Sequence, residues 1–303
     1  MTIYDTIIIG AGPAGVTAAI YAARREMKTL IIGKELGGQI ALTSDIENYP
    51  GFPSINNYDL IMRMQEHVKS VGVEIKNSEV TEIEKEEDIF CLETSKEKFQ
   101  AKTIIIAMGL EPRRAGIYGE LKFTGRGVSY CSNCDGPFYK GKTVAVLGGG
   151  NSALDAAEVL SKIASKVYLI HRRDKFRGFD SLVKKVQNIE NIQIILNSQI
   201  KKILGEEKLE KIQYENTDGM QELNIDGLFI EIGRVASTDI VAHLVERDDN
   251  EQIITDQKFR TKTDGVLACG DVVSSDFKQI TIACGQATIA ALSAYKYLQN
   301  LPS

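Results

Sequence analysis

Twice in this chain a short apolar run breaks into a glycine cluster and resumes as a helix-forming stretch, and that repetition constrains the fold more than any other feature. The first instance is residues 4–9, then Gly10-Ala11-Gly12-Pro13-Ala14-Gly15, then 16–25; the second is 143–147, then Gly148-Gly149-Gly150-Asn151-Ser152-Ala153, then a stretch to about 163. A near-continuous β-branched run without alternation predicts a strand buried on both faces of a parallel sheet. Strand, G-x-G-x-x-G or G-x-G-x-x-A, and helix in that order is the dinucleotide-binding fingerprint. Gly10 permits the tight turn, Gly12 lets the backbone approach a pyrophosphate, and Gly15 lets helix and strand pack closely. The helix N-terminus then offers free N–H groups to phosphate oxygens. An α/β chain with two nucleotide-binding domains follows.

The residues after each second strand discriminate between ligands. In the first half the strand over 28–32 runs into Gly33-Lys34-Glu35, where an acid usually holds the ribose hydroxyls. Either Glu35 serves from a shifted position or the backbone does. In the second half, the strand over 166–170 runs into His171-Arg172-Arg173-Asp174-Lys175-Phe176-Arg177. A carboxylate would repel a 2′-phosphate, whereas guanidinium forks bind one through charge-assisted hydrogen bonds. That loop therefore favours NADPH over NADH, against the plainer reading of a solvated basic loop. Gly37-Gly38-Gln39 and the turn-rich stretch around Asn48 carry amides suited to a flat polar ring system. Asp271, closing the apolar run 265–270, either accepts from a hydroxyl of a flavin ribityl chain or is an ordinary turn acid.

Between the two fingerprints lies Cys131-Ser132-Asn133-Cys134-Asp135-Gly136. A Cys-x-x-Cys can close on itself, taking up two electrons as a dithiol and returning them as a disulfide. The same spacing is half of a zinc site, but Cys91, Cys269 and Cys284 are isolated and the histidines are His67, His171 and His243. The redox reading is therefore preferred and no metal is expected. A net charge of −5 and a pI near 5.5 argue against nucleic acid as a partner. No apolar run approaches the roughly 20 residues needed to cross a bilayer. Nor does a charged leader precede the first strand, so a cytoplasmic location is expected, where a Cys-x-x-Cys is more often catalytic than structural.

Taken together, the opening glycine loop, Gly37-Gly38-Gln39, the dithiol stretch, the 148–153 loop, His171-Arg172-Arg173 with Arg177, and Gly270-Asp271 with Gln279 resemble the low-molecular-weight, flavin-dependent thioredoxin reductases over essentially the whole chain. The resemblance implies two Rossmann-like three-layer domains, one inserted in the other: an FAD domain from 1–114 and 246–303, and an NADPH domain from 115–245 that carries the dithiol. It implies FAD contacts at Gly10, Gly12, Pro13, Ala14, Gly15, Glu35, Gly38, Gln39, Asn48, Asp271, Lys278, Gln279 and Ile280. NADPH contacts are implied at Gly148, Gly150, Asn151, Ser152, Ala153, His171, Arg172, Arg173 and Arg177. Cys134 would face the flavin, Cys131 would attack a thioredoxin disulfide, Asp135 would act as general acid, and the protein would be a homodimer. A rotation about linkers near 111–120 and 233–249 would exchange dithiol and nicotinamide at the flavin. Departures from the family pattern are Lys278 in place of a usual arginine, Met108 in place of a usual threonine, and Val235-Ala236-Ser237-Thr238 in place of a common Pro-Asn-Thr. The alternatives are a different donor such as reduced ferredoxin, and a non-catalytic flavin-binding redox sensor.

Overall fold

A computed structural model describes residues 2–42 and 45–301, apart from the side chains of Leu42, Asp45 and Cys134. It divides into two units, Met1–Glu111 with Val235–Ser303, and Pro112–Arg234. Both are Rossmann-like α/β bodies, as the paired fingerprints predict.

In the first unit the opening strand Ile3–Ile9 runs parallel to a neighbour on each side, with Ile8 opposite Ile31 of Thr29–Gly33 and opposite Ile105 of Lys98–Ile106. Glu74–Asn77 extends one side, and Val266–Ala268 returns from the far end of the chain to pair with Lys98–Ile106. The hairpin of Val80–Glu86 and Ile89–Thr94 adds antiparallel strands, making seven in this sheet among the described residues. The period of two sends Ile8, Ile31 and Ile105 to one face and Ile7, Ile9, Leu30, Ile32 and Ile104 to the other. Both faces are covered, which is why the strands read as unbroken apolar runs. On the first face Ala18, Ala19 and Ala22 of the helix Pro13–Ala23 meet Ala287, Ala290, Ala291 and Ala294 of the closing helix Ile280–Gln299. Alanine at those positions lets two helices share one layer. Each fully buried isoleucine contributes about 1.5–3 kcal/mol, so Ile8→Ala or Ile105→Ala would open a cavity at the centre of this layer.

The second unit has a parallel sheet ordered Val128–Ser129, Gly227–Ile230, Thr143–Leu147, Lys166–Ile170, Ile192–Ile195. The helices Asn151–Ser161 and Asp180–Gln187 pack on one face through Leu154, Ala157, Leu160 and Val186. An antiparallel layer of Gln199–Leu204, Lys211–Asn216 and Gly219–Asn224 covers the other, bringing Ile200, Ile203 and Ile212 against Ala145, Ile170 and Leu228.

The connecting segments depart from expectation. Residues 235–245, expected in the inserted domain, lie in the first unit, where Ala236, Val241, Leu244 and Val245 join its core. Residues 112–114 fall in the second unit. Nor is 111–120 an open linker: Ala115 and Ile117 pack into the second unit's core, and Glu120, only 2% exposed, accepts hydrogen bonds from the Ala115 and Ile117 amides and the Tyr130 hydroxyl. Apolar residues at turn spacing, with a carboxylate that satisfies the turn's amides, make a packed corner out of a Pro/Gly-rich sequence.

Candidate active site

In the first unit the glycine loop turns directly into a helix. Gly10 has φ +117°, and a Cβ there would lie 2.2 Å from the Ala107 carbonyl oxygen, so only glycine fits. Pro13 opens the helix, Gly12 is its N-cap without a side-chain cap, and the first turn holds no acid. Gly15 and Ala14 are buried, and no side chain caps the amides at this end of the helix. Gly38 and Gln39 form a short 3-10 turn held to the glycine loop by the Gly37 amide, which donates to the Ala11 carbonyl at 2.9 Å. A Cβ on Gly38 would approach the Gly12 Cα to 3.3 Å, so two bare backbones line one cleft.

The far end of the chain closes the same cleft. Gln39 Nε2 donates to Asp271 Oδ2 at 2.7 Å, and Asn48 Nδ2 donates to Gln279 Oε1 at 3.1 Å. Gln279 is the N-cap residue of the closing helix, whose first residue, Ile280, packs, like Tyr49 and Phe52, against the buried cluster of Ile40, Ile46, Ile55 and Leu60. Lys278 Nζ donates to Gln252 Oε1 at 3.0 Å and to the Val273 carbonyl. Burial pushes the Lys278 ammonium below its ordinary range, against the opposing pull of Asp271. Glu35 stands apart, on an exposed bend. The reason Gly33 cannot carry the usual acid is steric: its Cβ would lie 2.7 Å from both the amide nitrogen and the Cβ of Ala11.

The second unit repeats the arrangement with different chemistry. Gly150 is the N-cap of Asn151–Ser161, again without a side-chain cap or an acid in the first turn. Ser152 is exposed at its start and Ala153 is buried, where a Cβ on Gly148 would come within 2.6 Å of the Ala153 Cβ. Asn151 Oδ1 accepts the Phe179 amide at 2.8 Å, and the Arg177 amide donates to the Gly149 carbonyl at 2.7 Å. These bonds bring the basic loop to the glycine loop. Arg172, Arg173 and Arg177 are exposed, whereas His171 is 4% exposed and stacks on Phe176. Burial, and then the three arginine charges, push the His171 imidazole below its ordinary range, against an opposing hydrogen bond to the Lys175 backbone.

The dithiol segment belongs to this second unit. The Ser129 hydroxyl, at the end of an edge strand, donates to the Cys131 carbonyl at 3.2 Å and accepts the Cys131 amide at 3.0 Å. One helical turn, Ser132–Asp135, follows, with the Asp135 amide donating to the Cys131 carbonyl at 3.1 Å. Cys131 is disulfide-bonded and half-buried, and Asp135 is half-buried beside it; the side chain of Cys134 lies outside the described residues. Cys91, Cys269 and Cys284 are free thiols. Among the described residues no group of three or more His, Cys, Asp or Glu side chains could hold a metal ion, and no helix is long and apolar enough to cross a membrane.

The model of the pyridine nucleotide-disulphide oxidoreductase family matches residues 4–287. The chain belongs to that family. Within the pyridine nucleotide-disulphide oxidoreductases it is similar to the thioredoxin reductase of Listeria monocytogenes, at 39% identity over 99% of this chain and 95% of that protein. It is also similar to the solved thioredoxin reductase of Lactococcus lactis in its FR conformation, at 40% identity and a TM-score of 0.89, covering 98% of this chain and all of the other. A solved ferredoxin-flavin thioredoxin reductase from Clostridium acetobutylicum is 32% identical, with a TM-score of 0.55 and 99% of both chains covered.

One polar residue of this oxidoreductase escaped the sequence reading. Glu231 follows the fully buried strand Gly227–Ile230 and is itself half-buried. Burial pushes its carboxyl up to about 7, against the opposing charge of Arg234. The available signal was a lone acid directly after four apolar-context residues, which reads equally well as a strand end.

Proposed function

We propose that this chain is an NADPH-dependent, FAD-containing thioredoxin-disulfide reductase that acts as a cytoplasmic homodimer. The observation that carries the reading is that Cys131 stands in a disulfide, beside Asp135, within the unit that also bears the three-arginine loop. The redox group and a site suited to a 2′-phosphate thus share one body. A non-catalytic sensor has no use for that combination.

The residues fit the two cofactors. Gly10 lets the loop turn tightly against Ala107, Gly12 and Gly38 bring two bare backbones together, and the uncapped start of Pro13–Ala23 would supply N–H groups to a flavin dinucleotide's pyrophosphate. Asp271, with Gln39, would hold ribityl hydroxyls; Asn48, Lys278, Gln279 and the Ile280 amide would edge the ring; and the backbone at Gly33, with Glu35 beyond it, would face the ribose. In the second unit Gly148, Gly150 and the amides of Asn151, Ser152 and Ala153 would hold the pyrophosphate of NADPH. Arg172, Arg173 and Arg177 would fork around its 2′-phosphate, with His171 as the neutral floor of that pocket. When bound, the flavin supplies the two-electron link between nicotinamide and disulfide that no side chain here can provide.

The chain's own part is to orient and to move protons. Cys131, as thiolate, attacks a sulfur of the partner disulfide; Cys134 then resolves the mixed disulfide and re-forms the internal one. Asp135, one residue from Cys134, holds a proton for whichever thiolate departs. Cys131→Ser and Cys134→Ser should each reduce turnover of NADPH with oxidised thioredoxin to background while NADPH still bleaches the flavin. Retained turnover in Cys134→Ser would overturn the reading, and bleaching by reduced ferredoxin but not by NADPH would reassign the donor.

A further inference from the structure

Glu120 opens the short helix Glu120–Phe123 and is buried, yet it takes no part in the mechanism above. Three donors converge on its carboxylate. The Ala115 amide and the Tyr130 hydroxyl reach Oε1 at 3.0 and 2.7 Å, and the Ile117 amide reaches Oε2 at 3.1 Å. Ala115 and Ile117 belong to the segment by which the chain enters the second unit at Pro112, and Tyr130 is the residue immediately before Cys131. One side chain therefore joins the entry of the unit to the neighbour of its redox sulfur. The rest of this corner is held without Tyr130. The Arg113 amide donates to the Gly233 carbonyl at 2.9 Å, the Ile203 amide donates to the Tyr118 carbonyl at 2.9 Å, and a Cβ on Gly119 would meet the Ile203 carbonyl oxygen at 2.2 Å. Tyr130 is less well supplied. The parallel ladder between Val128–Ser129 and Gly227–Ile230 stops at Ser129, opposite Phe229. The place of Tyr130 is set instead by its ring, packed against the cluster that includes Phe123, Val128 and Ile203, and by its hydroxyl.

We propose that Glu120 is a positioning residue for Cys131, acting through the Tyr130 hydroxyl to hold that cysteine where its disulfide closes. Ser129 and the Asp135 amide bond to the Cys131 backbone, and Tyr130 is the link of chain between Ser129 and Cys131. A hydroxyl bound to a carboxylate makes one of the stronger hydrogen bonds. The same carboxylate is fixed by two amides of a packed corner, so the tie runs to a rigid body. Thiols held in place close a disulfide more readily than loose ones, because less freedom is lost on closure. Removing the tie therefore favours the dithiol over the disulfide and leaves the chemistry of the sulfur itself unaltered. Two substitutions break the tie from opposite ends. Tyr130→Phe keeps the ring in the cluster and loses the hydroxyl. Glu120→Gln keeps the shape, but an amide accepts only through its oxygen, so one or more of the three donors loses its partner.

The inference rests on the proposed reading of Cys131 as half of a redox pair with Cys134, and its test needs neither nucleotide nor thioredoxin. The flavin-loaded protein is equilibrated anaerobically with glutathione and glutathione disulfide in graded ratios. Two glutathione thiols reduce the Cys131–Cys134 bond: that S–S bond breaks, two electrons and two protons pass to the protein as two thiols, and the glutathione sulfurs join in one disulfide. Acid quenching, alkylation and mass spectrometry then read the reduced fraction at Cys131. Tyr130→Phe should shift the equilibrium constant toward the dithiol by about three- to tenfold, tenfold being about 30 mV. Glu120→Gln should shift it in the same direction, and the double variant no further than the larger single one, since both remove one bond. Ile212→Val, which trims the same apolar cluster without touching the tie, should leave the constant unchanged. If Glu120→Gln does not fold, Tyr130→Phe against Ile212→Val decides the matter. An unshifted constant in Tyr130→Phe, an equal shift in Ile212→Val, or additive shifts in the double variant would overturn the inference. If wild type turns over NADPH and oxidised thioredoxin while the constant does not shift, only this inference fails; if turnover is absent in wild type but the shift is present, only the proposed function fails.

Discussion

Gln39 Nε2 lies 2.7 Å from Asp271 Oδ2 although 232 residues separate them in sequence. The bond is possible because Val266–Ala268 pairs with Lys98–Ile106 beside the opening strand, so the turn that carries Asp271 emerges at the same sheet end as the glycine loop. A hydrogen bond to a carboxylate contributes about 1.5–3 kcal/mol. Gln39→Ala should lower the thermal midpoint of the protein and loosen the flavin, seen as faster loss of yellow colour on dialysis. Unchanged flavin retention in both Gln39→Ala and Asp271→Asn would remove this pair from the site.

Gly33 makes a sharper steric case. Any side chain there meets Ala11, which belongs to the glycine loop itself. Gly33→Ala should cost about 1–3 kcal/mol through overpacking, and Gly33→Glu, which restores the acid expected at a strand end, should yield flavin-poor or insoluble protein. The check is flavin content per chain beside urea unfolding. A Gly33→Glu protein that folds and holds flavin normally would refute the close approach.

The arginine loop predicts a change of nucleotide preference. Arg172→Ala with Arg173→Ala should raise KM for NADPH by about tenfold or more, with kcat and KM for NADH little changed, because only the 2′-phosphate loses its partners. Steady-state kinetics with both nucleotides read this directly, and an equal rise for NADH would point to general disruption.

His171 and Glu231 give opposite pH signatures. The imidazole is held below its ordinary 6.5 by burial and by the nearby arginines, so as pH falls through 6.5 the unfolded chain takes up the proton first and stability drops. His171→Gln should flatten that loss between pH 7.5 and 5.5 in urea unfolding. The Glu231 carboxyl is raised from 4.5 to about 7, so the folded chain holds the extra proton and stability falls as pH rises from 4.5 to about 7. That shift corresponds to at most about 3 kcal/mol, and Glu231→Gln should recover part of it at pH 8 and none near pH 4.5.

Much of this architecture is legible in the residues, for reasons that individual positions make plain. Strands buried on both faces must be unbroken apolar runs, so residues 4–9 and 143–147 announce parallel sheets, and the glycines that follow announce where helices begin. The strand Gly219–Asn224 is an exposed edge with polar residues on most positions, and nothing in its sequence marks it. The packed corner at 112–120 was hidden because its order comes from Glu120, a charged residue whose burial depends on partners at Ala115, Ile117 and Tyr130. Glu231 was hidden for a related reason: what distinguishes it is its burial at the end of Gly227–Ile230, which a lone acid after an apolar run does not announce. Patterns report faces and turns; pairings between distant polar groups need coordinates.

The most direct test of the account is an anaerobic titration of the purified flavin-loaded protein, first with NADPH and then with oxidised thioredoxin, following the flavin absorbance. The account predicts bleaching on addition of NADPH and recovery on addition of thioredoxin, with recovery lost in Cys134→Ser. A flavin that NADPH does not bleach, or one that bleaches but recovers equally well without Cys134, would contradict it.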